Sequence, residues 1–275
     1  MLLHQAMDTR RILLALAICG YVACSELARE DEGNGPVVPP PYIIGGTDAT
    51  RDAWPWQVII KYRNRFVCGG TLLNSRAVLT SANCGFNKKR PSKFTVIVGT
   101  YNRKKNERDT RGEKVMAVKT VIPYPGKYDI AILKFKGRVQ FGTHIQPIPG
   151  LADVDTDLVN STCFVTGWGS FKGSKKTSKV LQQLEVPVVT NTQCQAAIDP
   201  ALSMTVTDDM ICTSSEPNGP CGGDNGGPLQ CSVNGVWLHA GTVSMKKGKC
   251  NNGPSLYSRT SFFRDWIITN RKITN

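Results

Sequence analysis

Nine short runs of strand-forming residues, separated by Gly, Pro and Asn, constrain this fold more than any other feature. They read QVIIKY (57–62), AVLTSA (77–82), FTVIVGTY (94–101), KVMAVKTVI (114–122), DIAILKF (129–135), CFVTGWG (163–169), QQLEVPVV (182–189), VWLHAGTVSM (236–245) and SLYSRT (255–260). Branched and aromatic side chains suit a pleated, half-buried surface, so short runs of this kind at regular spacing predict an all-β barrel or sandwich. Helical spacing occurs only at the end, in TSFFRDWIITNRK, where Phe263, Trp266 and Ile267 share a face.

Residues 1–24 read as a secretory signal peptide. An Arg10-Arg11 pair precedes an apolar run from Ile12 to Ala23 that is too short to span a bilayer. Residues 25–42 form a short acidic, proline-rich pro-segment, with Glu26, Glu30, Asp31 and Glu32 against Arg29 and no cysteine. Of the ten cysteines, Cys19 and Cys24 fall in or at the end of the signal, leaving eight. In an oxidising compartment eight cysteines predict four disulfides, and spacing alone permits about 105 pairings. No C-x-x-C pair or His-rich run supports metal binding instead. Asn160-Ser161-Thr162 is a glycosylation sequon, used only if exposed.

Within "GPCGGDNGGPLQC" (219–231), Cys221, Gly223, Asp224, Gly226, Gly227 and Pro228 resemble the active-site loop C-x-G-D-S-G-G-P of the trypsin-like serine proteases, with Asn225 at the nucleophile. Other landmarks follow that family's order: Ile43-Ile44-Gly45-Gly46, Pro55-Trp56-Gln57-Val58, Cys68-Gly69-Gly70, Ala82-Asn83-Cys84, Asp129-Ile130-Ala131, Thr166-Gly167-Trp168-Gly169, Ser244 and Trp266-Ile267. The resemblance covers residues 43–275. It implies two antiparallel Greek-key six-stranded β-barrels, about 43–155 and about 156–262, and a C-terminal α-helix at about 262–272. It also implies the disulfides Cys68–Cys84, Cys163–Cys231, Cys194–Cys212 and Cys221–Cys250.

The resemblance places the catalytic triad at Asn83, Asp129 and Asn225. Acyl transfer needs a hydroxyl nucleophile, an imidazole base and an orienting carboxylate. The Asn83 amide neither accepts nor delivers a proton near neutral pH, and the Asn225 amide nitrogen has its lone pair tied up in resonance. Losing either nucleophile or base costs about a millionfold in turnover, and losing both costs little more. Backbone donors of Gly223 and Asn225 would still form an oxyanion hole. His144 and His239, the histidines beyond the signal, are assigned to structural or surface roles. At the substrate cleft, Gly219 and Pro220 stand at the floor of the specificity pocket, and Ser244-Met245-Lys246 replaces a Ser-Trp-Gly wall. Lys246 there is expected to obstruct ordinary peptide binding. The residues before Ile43, Pro40-Pro41-Tyr42, are not a trypsin-type activation site; if that bond stays uncut, Asp224 needs another partner.

The formal net charge is +13, from 34 Lys and Arg against 21 Asp and Glu. A surface of this sign attracts polyanions: sulfated glycans, nucleic acid, anionic lipid or acidic proteins. Arg63 and Arg65, Arg103, Lys104, Lys105 and Arg108, and Lys172, Lys175 and Lys176 fall in loops that the family sets near one another, and they are the candidate anion-binding set. Each run also reads as an ordinary solvated loop. Thr100 stands where calcium-binding relatives carry a carboxylate, so no metal ion is expected, and no cofactor. The expectation is a secreted, extracellular, non-catalytic homologue that binds a polyanion or a partner protein; the alternative is a residual or unusual serine-type hydrolase.

Overall fold

The computed structural model describes residues 46–86, 90–169, 177–214, 219–220, 223–244 and 253–272. The signal and pro-segment, Met245, Lys246, Lys172, Lys175, Lys176 and the Cys221–Cys250 pair lie outside these residues.

The first half is a closed antiparallel barrel. Its strands are β2 (Gln57–Tyr62), β3 (Arg65–Asn74), β4 (Ala77–Thr80), β5 (Phe94–Val98), β6 (Lys114–Pro123) and β7 (Ala131–Phe135), in the order β2-β3-β4-β7-β6-β5 with β2 pairing β5. Val58, Leu72, Val78, Leu79, Val96, Ile132 and Leu133 are fully buried, and because Val78/Leu79 and Ile132/Leu133 are consecutive strand residues, both faces of the barrel wall are covered. At about 1.5–3 kcal/mol per large apolar side chain, burial of these residues is the main force holding the barrel together. The β2–β3 hairpin turns through Arg63 and Asn64, both at positive φ (47° and 66°), the backbone pattern that matches strand twist in a two-residue turn.

The second half is a nine-stranded sheet among the described residues. It comprises β1 (Thr47–Asp48), β8 (Gly150–Leu151), β9 (Thr162–Gly167), β10 (Gln182–Glu185), β11 (Val188–Val189), β12 (Met210–Thr213), β13 (Pro228–Val233), β14 (Val236–Val243) and β15 (Ser255–Arg259). Its path runs β1-β10-β9-β13-β14-β15-β12-β11, with β8 alongside β14. Six-stranded closure, expected for both halves, is thus met by the first; in the second the path ends on the two-residue strands β1 and β11. The expected run 182–189 divides into β10 and β11 around Val186-Pro187, because proline has no N–H for the ladder. The run 94–101 ends at Val98, where Gly99 turns to a φ of +80°.

The helices are α1 (Arg108–Arg111), α2 (Asn191–Ala197) and α3 (Thr260–Arg271). The last begins two residues before the expected start, with Thr260 buried at its first turn and Phe263 and Ile267 packed into the first core. Disulfides Cys68–Cys84, Cys163–Cys231 and Cys194–Cys212 are formed. No helix among the described residues is long and apolar enough to cross a membrane.

Candidate active site

The two halves meet along a polar seam. Trp56 Nε1 donates to Gln230 Oε1 (2.8 Å), Thr166 Oγ1 donates to Gln57 Oε1 (2.6 Å), and Gln230 Nε2 donates to Thr166 Oγ1 (3.2 Å). All four groups are buried, so the network satisfies at the interface what water would satisfy outside. Spacing carries no signal for it: the partners lie 64 to 174 residues apart.

Asp129 sits at one end of this seam, just before β7. Its Oδ1 accepts from Ser81 Oγ (2.5 Å) and the Asn83 N–H (2.7 Å), and its Oδ2 accepts from Ser244 Oγ (2.6 Å). Ser258 Oγ donates to its backbone carbonyl (2.8 Å). A carboxylate offers about four acceptor positions, so among the described residues three of these are used and one on Oδ2 remains. Ser81 also caps the 3₁₀ turn Ala82–Cys84 by accepting from the Asn83 N–H (3.1 Å), and the Cys68–Cys84 bridge pins that turn to β3. Asn83 is exposed, and its backbone, not its amide side chain, reaches Asp129.

The loop 223–227 packs onto the same turn. The Gly69 N–H donates to the Asn225 carbonyl (2.9 Å), and Thr80 Oγ1 donates to the Gly69 carbonyl (2.8 Å). Gly226 has a φ of +80°, and a Cβ there would lie 2.2 Å from Thr80 Oγ1 and 3.0 Å from the Ser81 nitrogen. Only glycine fits, and its presence brings Asn225 beside the segment that carries Asn83. Gly223, at a φ of +102°, lies against Gly169. Asp224 is buried and accepts from the Gly169 N–H (2.7 Å); its carboxylate fills the space where Gly167 and Gly169 lack side chains.

Asn83, Asp129 and Ser244 border a cavity of about 80 Å³ with Lys127, Tyr128, Asp209, Met210 and Leu256. Gly219 and Pro220 are buried; the Met245-Lys246 wall falls outside the described residues. Neither histidine bonds to Asn83, Asp129 or Asn225. His144 Nδ1 pairs with Asp52 (2.7 Å) at the surface, and His239 is fully buried with Nδ1 2.7 Å from Thr260 Oγ1. Burial holds the His239 imidazole neutral, lowering its pKa to about 3.

Of the candidate anion-binding set, Arg63, Arg65, Lys104, Lys105 and Arg108 are exposed. Arg103, of the same set, is less accessible than these five. Its guanidinium is half-buried over the Phe66 ring and donates to the Ser178 carbonyl and to both the carbonyl and hydroxyl of Thr177, so it staples two loops together. In the same loop Thr100 Oγ1 donates to Glu113 (2.7 Å), and Glu107 accepts from the Tyr101 and Asn102 N–H groups (2.6 and 2.9 Å). The Arg111 guanidinium reaches Asp52 at 2.7 Å and the Gly99 carbonyl at 3.1 Å. Asn160, at the sequon, is exposed, with Nδ2 donating to Asp157 (2.9 Å).

Two comparisons bear on this arrangement. A sequence profile described as trypsin matches residues 43–267. The chain is also similar to tryptase of Mus musculus, 32% identical over 251 residues that cover 85% of this chain and 90% of the relative.

Proposed function

This chain belongs to the trypsin family, and from that premise we propose that it is a secreted member that binds and does not cleave. The observation that carries the reading is the state of Asp129. Its carboxylate is held by Ser81, Ser244 and the Asn83 backbone, with one acceptor position left for an imidazole that the chain does not provide. The hydroxyl such an imidazole would activate is also missing, because Asn225 occupies the loop. Orientation without base or nucleophile leaves at most the backbone oxyanion donors, roughly a thousandfold over water.

Secretion is supported by the Arg10-Arg11 and apolar leader and by three disulfides in the described residues. The exposed Arg63, Arg65, Lys104, Lys105 and Arg108, with a net charge of +13, support binding to a polyanion or an acidic partner protein. Exposure of the sequon supports glycosylation of Asn160 in the secreted form.

The test is labelling of the secreted protein with a fluorophosphonate probe, alongside an active tryptase. No label on this chain is the expected outcome. Stoichiometric labelling sinks the non-catalytic reading and leaves the family's hydrolase chemistry.

A further inference from the structure

Away from the seam, a cavity of about 300 Å³ opens between the β3–β4 turn, strands β6 and β7, and the C-terminal end of α3. Five of its ten lining residues are cations: Arg76, Lys119, Lys134, Arg271 and Lys272. None is a carboxylate. Among the described residues, Lys119, Lys134, Arg271 and Lys272 enter no ion pair.

Helix capping accounts for part of this arrangement. Lys134 Nζ donates to the Lys272 carbonyl (3.2 Å), and Asn74 Nδ2 donates to the Arg271 carbonyl (2.6 Å), so the carbonyl end of α3 has its partners. Capping does not explain Lys119, which comes from β6. Convergence of cations from four separate elements costs mutual repulsion, and a bound anion relieves it.

We propose that this cavity binds a sulfo group of a sulfated glycan; the proposal rests on the reading that the protein acts by binding outside the cell. An anionic membrane fits the site less well. A membrane-docking face places apolar side chains beside its cations, and none of the exposed large hydrophobics, Phe141, Phe262 and Val154 among them, lines the cavity. A nucleic-acid site would offer aromatic faces for stacking, and the one aromatic here, Phe135, is buried.

The test measures affinity for a heparin hexasaccharide by calorimetry over a range of salt. Three forms are compared: the unmodified protein, a cavity variant (Lys119→Gln, Arg271→Gln, Lys272→Gln) and a loop variant of equal charge (Lys104→Gln, Lys105→Gln, Arg108→Gln). The cavity variant is expected to bind about tenfold or more weakly near roughly 150 mM salt. Its slope of log affinity against log salt should be smaller by about three, one per cation removed. The loop variant should weaken by less than about threefold. Lys119→Glu alone, at an exposed strand position, guards against misfolding of the triple variant and should weaken binding on its own.

Equal losses in the two triple variants would mean a diffuse net-charge effect and overturn the proposal. A loss confined to the loop variant would also overturn it, while leaving the loop-borne binding reading intact. Absence of hexasaccharide binding by the unmodified protein would remove both. Phosphatidylserine vesicles serve as the second probe: binding to them, but not to the hexasaccharide, with loss in the cavity variant, would replace the glycan by a lipid headgroup and overturn the proposal.

Discussion

Ser244 donates its hydroxyl to Oδ2 of Asp129 at 2.6 Å, joining the end of β14 to the segment before β7. With Ser81 and the Asn83 N–H on Oδ1, the carboxylate draws both halves of the molecule onto one side chain. Hydrogen bonds to a charged group contribute about 1.5–3 kcal/mol each, and leaving their donors without the acceptor is costly. Asp129→Ala should therefore destabilise the fold by about 2–4 kcal/mol, and Ser244→Ala by about 1–2 kcal/mol. Urea midpoints measure both. A change within about 0.5 kcal/mol for Asp129→Ala would show that the carboxylate is not a structural tie.

The open acceptor position on Asp129 leads to a gain-of-function prediction. An imidazole introduced as Asn83→His has a carboxylate available to orient it, and Asn225→Ser supplies the hydroxyl. The double variant should react with a fluorophosphonate about a thousandfold or more faster than either single variant, within the roughly millionfold span that separates intact from broken triads. Single variants should stay at background because base and nucleophile act as a unit. A folded double variant that remains unreactive would locate the loss of chemistry beyond those two side chains.

Gly226 and Gly235 form a matched pair. Both have φ near +80°, yet a Cβ on Gly226 would strike Thr80 Oγ1 at 2.2 Å and the Gly69 carbonyl at 2.6 Å, while one on Gly235 meets nothing within 4 Å. Gly235→Ala carries only the strain of a left-handed backbone, about 1 kcal/mol. Gly226→Ala adds a clash with backbone that cannot move aside, and should cost about 2–4 kcal/mol. Equal midpoint shifts would show that the loop accommodates the methyl group and that its fit to β3 and β4 is loose.

Much of the fold was legible because local rules and long-range order agree. Strand runs, turn glycines and ordered landmarks point to the barrel of β2–β7 and to four bridges; the structure has the barrel and the three bridges that fall within the described residues. The candidate site was legible as positions but not as contacts. Ser81 and Ser244 reach Asp129 from 48 and 115 residues away, and no periodicity encodes such meetings. The sequence shows the charge of Arg103 but not the Thr177 and Ser178 oxygens to which it donates. The cation cavity was invisible for the same reason: its members are scattered from Arg76 to Lys272, and only the docking of α3 beside β6 and β7 assembles them.

His239 gives the protein an acid sensitivity that a surface histidine would not. In the fold its pKa is about 3, because burial excludes the charged ring; unfolded, it returns to about 6.5. Between those values the unfolded chain binds a proton that the folded chain does not, so stability rises with pH across the window. The contribution is complete above about pH 6.5 and is lost as pH falls toward about 3. At about 1.4 kcal/mol per pH unit, acidification from pH 7.5 to 4.5 should cost about 3 kcal/mol through this residue. His239→Gln retains a polar group for Thr260 without titrating, so it is expected to be less stable than the unmodified protein at neutral pH yet lose about 3 kcal/mol less on acidification. Urea midpoints of both proteins at the two pH values measure this difference. Parallel loss in both would mean that the buried imidazole is protonated without cost, and that the acid sensitivity originates in the carboxylates.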